Sequence, residues 1–203
     1  MKLYDGGMAP NPRRVRVFLA EKNIKVELVP VDLTEKAHKS PDMTALNPMQ
    51  RVPVLELDDG TVITESVAIC RYFEEITPEP ALFGSGAVGR AQVEMWNRRL
   101  ELHFMASVAA AFRHCHPAMA GWEVPQLPEW GEANRPKALA FLDILDTHLA
   151  ENEFVAGEAF SIADITGMIA FEFMKPARIG RPEHLGNVMR WYQAVSARPS
   201  ARA

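Results

Sequence analysis

Cysteine is almost missing from this chain: Cys70 and Cys115 are the only two in 203 residues. Two thiols build no disulfide framework, and the absence of any C-x-x-C excludes a standard dithiol redox pair. Such sparse thiol usage fits a reducing cytoplasm. Long apolar runs are missing too. Met1-Lys2-Leu3-Tyr4-Asp5 contains none long enough for a signal peptide. The most apolar later stretch, Ile165 to Met174, is short and interrupted by Glu172, so it reads as a buried helix and no membrane span is expected. A dominant charge is the third absence. A net charge of −4 and a pI near 5.9 argue against nucleic acid or an anionic membrane as partner. No metal is expected either: His114-Cys115-His116 are consecutive, point in different directions on a helix, and lack a second ligand cluster. Internal repeats and low-complexity segments are absent. What remains is an ordinary globular composition, 48% hydrophobic and 24% charged, in a length between one domain and two.

The first 77 or so residues alternate between strand-like and helix-like pieces. Lys2–Tyr4 is a short strand. Asn11-Pro12 then predicts a helix start, Asn as N-cap and Pro as first helical residue. Val15, Phe18 and Leu19 give that helix its apolar stripe, with Arg13, Arg14 and Arg16 facing mostly outward. Val26–Val31, Val52–Leu57 and Val62–Thr64 read as further strands, the last two joined by an Asp58-Asp59-Gly60 hairpin turn. Ser66 is placed as the cap of a helix running to about Glu75, with Val67, Ile69, Cys70 and Phe73 on its apolar face. The order is β-α-β-loop-β-β-α.

Thr77-Pro78-Glu79-Pro80 breaks this pattern. Gly84-Ser85-Gly86-Ala87-Val88-Gly89 matches G-x-G-x-x-G, but a dinucleotide site needs a strand before it, and prolines stand there instead. The stretch reads as an interdomain linker. Beyond it every periodic segment is helical. Ala138, Leu142, Leu145 and Leu149 step by three and four, as a buried helix face does. Ser161-Ile162-Ala163-Asp164 carries an S-x-x-D capping arrangement. Met189, Tyr192 and Val195 mark a final helix that ends before Pro199. The expected domains are residues 1–77 (small α/β), a linker over 78–87, and an all-helical domain over 88–203.

This plan, with three motifs on it, resembles the glutathione S-transferase superfamily. Asn47-Pro48-Met49-Gln50-Arg51-Val52-Pro53-Val54-Leu55 is similar to the family's N-P-x-x-x-V-P-x-L. Thr64-Glu65-Ser66-Val67-Ala68-Ile69 is similar to its E-S-x-A-I, and Phe160-Ser161-Ile162-Ala163-Asp164 to its F-S-x-A-D helix start. The resemblance covers nearly the whole chain. It implies a thioredoxin-like N-terminal domain (βαβ-ββα) followed by a helical-bundle C-terminal domain, with glutathione as co-substrate. It also implies a cytoplasmic detoxification enzyme, a homodimer with Met49 near the two-fold contact, and a small electrophile or disulfide as second substrate.

The resemblance also assigns residues. Val52, before a cis Pro53, would pair its backbone with the cysteinyl unit of glutathione as a short antiparallel strand. Glu65 would meet the ligand's amine. Ser66, at a helix N-terminus, would meet its carboxylate, although a plain N-cap role also explains Ser66. His38 and Lys39, in a loop before Pro41, approach the glycyl carboxylate or are simply solvated charges. The thiol-activating position departs from the commonest patterns. Placing Arg14-Val15-Arg16 on the family's R-V-R puts Ala9 where other members carry serine or cysteine, and Tyr4 stands too early for the tyrosine classes. Asn11 remains, as in bacterial nu-class and theta-like patterns, without the hydroxyl that often stands two residues earlier. The second substrate is expected between the domains, near Met8, Met105, Phe112 and Met119. Three functions stay open: thiolate transfer to an electrophile, glutathione-dependent disulfide or peroxide reduction, and non-catalytic binding.

Overall fold

The computed structural model describes residues 1–203 as two compact units, Met1–Ala81 with Pro199–Ala203, and Leu82–Arg198. In the first unit, strands β1 (Lys2–Asp5), β2 (Glu27–Pro30), β3 (Val54–Glu56) and β4 (Val62–Thr64) form one sheet in the order β2-β1-β3-β4. β1 runs parallel to β2 and antiparallel to β3, and β3 runs antiparallel to β4. β3 is shorter than the sequence suggested because Pro53 has no N–H to give a ladder. Helices α1 (Pro10–Glu21), α2 (Pro41–Leu46) and α3 (Ser66–Ile76) complete the unit. Leu3, Phe18, Leu55, Ile69 and Phe73 are fully buried, each burial stabilising the unit by about 1.5–3 kcal/mol.

Four sequence expectations change here. α1 begins at Pro10 with Ala9 as N-cap, so Asn11 is its second residue and caps nothing. Arg14 faces inward and is 0% exposed, opposite to its expected outward position. Ser66 is the first residue of α3, and the N-cap is Glu65. The loop before Asn47 contains a helix: Ser40 caps α2 by accepting from the Met43 N–H at 3.3 Å, Pro41 opens it, and Asp42 sits in its first turn.

The second unit is helical: α4 (Gly86–Arg99), a π-helical segment (Leu100–Met105), α5 (Ala106–Cys115), α6 (Pro128–Leu149), α7 (Ile162–Phe173) and α8 (Gly186–Ser196). Gly86–Gly89 forms the first turn of α4, and Leu82 and Phe83 just before it are buried. Ala138, Leu142, Leu145 and Leu149 are all fully buried, as their spacing requires. The stripe on α8 is Val188, Trp191 and Val195, a one-residue shift from two of the expected positions. No helix is long and apolar enough to cross a membrane.

Asp164 is the polar hub of this unit. Its carboxylate accepts from the backbone N–H groups of Val155 (2.8 Å) and Ser161 (2.9 Å), from the Ser161 hydroxyl (3.0 Å) and from Trp191 Nε1 (2.8 Å). The capping box expected at Ser161–Asp164 is therefore present, and its carboxylate also fixes α8. Burial pushes the Asp164 carboxyl above the usual carboxylate range, while its donors pull the other way. The last turn of chain, Pro199–Arg202, belongs to the first unit. Arg13 Nη2 donates to the Ala201 carbonyl at 2.8 Å, and the Ser200 hydroxyl bonds Glu21.

Candidate functional site

The sheet register gathers one set of loops at one end. Tyr4 pairs with Val54, and Val54 with Thr64, so the exit of β1, the entry of β3 and the exit of β4 lie together. Pro53 and Glu65 are the next residues beyond that last pair. β2, parallel to β1, ends on the same side, where the Val31 N–H donates to the Asp5 carbonyl at 2.7 Å. The loop after β1 approaches the loop before β3 closely. A Cβ on Gly6 would stand 2.7 Å from Val52 Cγ2 and 3.4 Å from Pro12 Cγ, so only glycine fits without displacement. The Gly6 position was not singled out in the sequence, and its nearness to Val52 is a tertiary fact.

The Val52–Pro53 peptide bond is cis. The loop leading to it is closed by Asn47, which is 2% exposed: its Nδ2 donates to the Arg51 carbonyl at 2.9 Å and its Oδ1 accepts from the Met49 N–H at 3.0 Å. Gln50 takes φ +52° within that loop, and its side-chain amide donates to Thr44 Oγ1 at 3.1 Å. Asn47 is thus the reason the N-P portion of the motif has a fixed shape. Val52 itself is half-buried, and neither its N–H nor its carbonyl is bonded within the protein.

Glu65 is exposed and adopts φ +67°, ψ 118°, a region that side chains rarely occupy. Ser66 follows it into α3 and is 5% exposed. The Ile69 N–H bonds the Glu65 carbonyl at 2.9 Å, leaving the N–H groups of Ser66, Val67 and Ala68 as first-turn donors without helical acceptors. Such an end attracts an anion. Behind it, Arg14 Nη1 donates to Ser66 Oγ at 2.9 Å. Cys70, one turn further along α3, is fully buried, and burial pushes its thiol far above the usual range. It is core.

The start of α1 has few donors of its own. Ala9 has no capping side chain, Pro10 and Pro12 have no N–H, and the Arg13 N–H is bonded to the Ala9 carbonyl. Asn11 is the exception: it is exposed, and neither its backbone N–H nor its side-chain amide is bonded within the protein. Arg16 Nη1 holds the preceding loop by donating to the Gly7 carbonyl at 2.9 Å and to Asp5.

His38 and Lys39 divide. His38 lies in a one-turn 3-10 helix, Ala37–Lys39, and is 3% exposed, so of its two expected roles the solvated charge is ruled out by packing. Burial first, then the charges of Lys39, Arg51 and Lys36, lower its pKa below 6.5 and keep it neutral at pH 7. Lys39 is exposed, and so is Arg51 beside Val52, which the sequence reading left out. Of the residues expected near a second substrate, Met8 is exposed in the first unit. In the second, Met105 is buried, Met119 is half-buried, and Phe112 packs at 5.0 Å on Phe173 and 4.9 Å on His116. The histidines flanking Cys115 hold loop backbone: His114 Nδ1 accepts from the Leu127 N–H and His116 Nδ1 from the Ala118 N–H, both at 3.2 Å.

Comparison with known proteins gives the family of the chain. Residues 1–75 match the glutathione S-transferase N-terminal domain, and residues 106–199 match the C-terminal domain. Glutathione S-transferase 2 of Saccharomyces cerevisiae is 38% identical over 205 residues, covering 100% of this chain and 88% of that protein. The crystal structure of Gtt2 from the same yeast superposes with a TM-score of 0.94 at 38% identity, covering 100% of this chain and 99% of its own. A glutathione S-transferase domain-containing protein of Marinobacter aquaeolei VT8 gives a TM-score of 0.93 at 41% identity, covering 98% and 99%. Relatives this similar along their full length share fold and family, and the chain belongs to the glutathione S-transferase family.

Proposed function

We propose that the protein is a glutathione transferase that binds glutathione on its first unit and presents the thiolate to a small electrophile. Val52 carries the reading. Beside a cis peptide bond, at the end of the sheet where Glu65 and Ser66 emerge, it offers an unbonded N–H and an unbonded carbonyl. That pair suits an extended peptide docking as an antiparallel strand, and the cysteinyl unit of glutathione is such a peptide. Glu65 supplies a carboxylate to the γ-glutamyl amine. The Ser66 hydroxyl and the first-turn N–H groups of α3 meet the γ-glutamyl carboxylate. Lys39 is the exposed cation for the glycyl carboxylate. Its neighbour His38 is too deeply packed for that contact.

The sulfur faces the start of α1, where Asn11 provides two donors. Ionising a thiol of pKa near 8.5 at neutral pH requires a fall of about two units, or about 2.7 kcal/mol. One hydrogen bond to a charged acceptor supplies about 1.5–3 kcal/mol, and a helix N-terminus about 0.3–1. Two donors on a helix end meet the requirement. Met8, exposed shortly before α1, is the apolar side chain the first unit offers to an electrophile. The active form is a homodimer with Met49 at its contact. Glutathione-dependent disulfide or peroxide reduction would use the same residues.

A second reading is non-catalytic binding, and Ala9 favours it because the N-cap of α1 carries neither hydroxyl nor thiol. Titration calorimetry with glutathione, paired with turnover of a chlorinated nitrobenzene and of a small disulfide, separates the readings. Binding with turnover is expected, and binding without it would leave the non-catalytic role. Asn11→Ala is expected to lower kcat/KM by about tenfold or more while glutathione affinity persists. An Asn11→Ala variant with full activity would remove Asn11 from the sulfur.

A further inference from the structure

Arg14 is an unusual residue to find fully buried. A guanidinium in a core needs acceptors to offset its desolvation. One of those acceptors is the Ser66 hydroxyl, at 2.9 Å from Nη1. The direction of that bond is fixed, because arginine is a donor only. A serine hydroxyl has one hydrogen and two acceptor sites. With Arg14 occupying one of those sites, the hydrogen must point elsewhere.

Within the protein it points to nothing. The Ser66 hydroxyl makes no other hydrogen bond, and as the first residue of α3 it does not fold back to cap that helix. A buried hydroxyl with its hydrogen unspent lies among the first-turn N–H groups of α3. The hydroxyl, the helix N–H groups and the guanidinium behind them all donate. Accepting from a charged donor also makes the hydroxyl a stronger donor in turn.

We propose that Arg14 is a positioning residue for glutathione: it commits the Ser66 hydroxyl to donate to the ligand's γ-glutamyl α-carboxylate. Arg14 does not touch the ligand. It sets which way the hydroxyl points and excludes ligand groups that would themselves donate there. The inference rests on the glutathione reading above and adds a specificity to it, since the benefit exists only for a ligand that carries the α-carboxylate. A purely structural arginine, tying α1 to α3, would lack that selectivity.

The test compares glutathione with its analogue lacking the α-carboxylate, γ-aminobutyryl-cysteinylglycine, by titration calorimetry. Wild type is expected to prefer glutathione. Arg14→Met is expected to weaken glutathione about tenfold and the analogue hardly at all. Arg14→Gln, which removes the charge but keeps a polar side chain, makes the same comparison should the methionine variant not fold. Ser66→Ala should reproduce the selective loss, and adding Arg14→Met to Ser66→Ala should cost little more, because the two act as one unit. Equal loss for both ligands, or full additivity with Ser66→Ala, would overturn the assignment to Arg14 alone. A wild-type protein that bound neither ligand would overturn the glutathione reading and this inference with it.

Discussion

At the scale of single residues, Glu65 holds a backbone conformation that costs the fold free energy. A side chain at φ +67°, ψ 118° costs about 1–3 kcal/mol relative to an unstrained backbone. Glycine would remove that strain, though its own unfolded-state freedom gives back about 0.5–1 kcal/mol. Glu65→Gly is therefore expected to gain about 1 kcal/mol, or about 2–4 °C in melting temperature, while glutathione affinity falls about tenfold or more with the carboxylate gone. Glu65→Gln separates the terms: it should lose affinity with no gain in melting temperature. A Glu65→Gly variant that melts lower than wild type would show that the conformation carries no strain. Pro53, Glu65 and Ser66 stood out in the sequence because the three sit in recognisable motifs, and the sheet register brings them to one end of the first unit. Arg14 did not. Its charge predicts an outward position, and only the packing of α1 on α3 reveals that it points in. The caps show the same limit, since Ala9 and Glu65 win those places by backbone geometry while the better capping side chains, Asn11 and Ser66, stand one or two residues later.

Among the elements, legibility followed how local the signal is. The Ser161–Asp164 capping box needs four consecutive residues and was found, whereas its further bond to Trp191 spans 27 positions and was not. Helix α2 carried local signals, with Ser40, Pro41 and Asp42 in order, but its six residues are too few for periodicity to show. The 3-10 turn before it makes a pH-dependent contribution. Burial and the nearby cations lower the pKa of His38 below 6.5. The unfolded chain then binds the proton more readily than the folded one, so stability falls as pH drops below 6.5 and levels off below the folded pKa. Asp164, whose carboxyl is raised by burial, has the opposite sign, losing stability as pH rises above 3.8 through its own window. A difference between wild type and His38→Gln cancels that term. Urea midpoints at pH 7.5 and 5.5 should differ less for His38→Gln than for wild type. An equal change in both would mean that His38 is not the group being protonated.

For the whole molecule, the proposed homodimer predicts a contact surface that can be tested. Large apolar side chains left in solvent are informative when they are held rigidly or recur along one face. Met49 is 68% exposed at the tip of a loop that Asn47 and Gln50 pin by three hydrogen bonds, so it is presented in a fixed position. On the second unit, Val88, Met95 and Leu102 are exposed at seven-residue steps along α4 and the π-helical segment. A homodimer would cover such positions. Placing a charge in a packed contact leaves it desolvated and unpaired, and central contact residues typically cost 2 kcal/mol or more when lost, about thirtyfold in a dissociation constant. Met49→Asp and Met95→Asp should each therefore move the protein toward monomer in sedimentation velocity at micromolar concentration, and the double variant should be monomeric throughout. Because neither side chain is among the residues proposed to bind glutathione, calorimetric affinity for glutathione should stay within about threefold. Variants that remain dimers with unchanged dissociation constants would place the two-fold contact on another surface and leave the exposed methionines as ordinary solvent-facing residues.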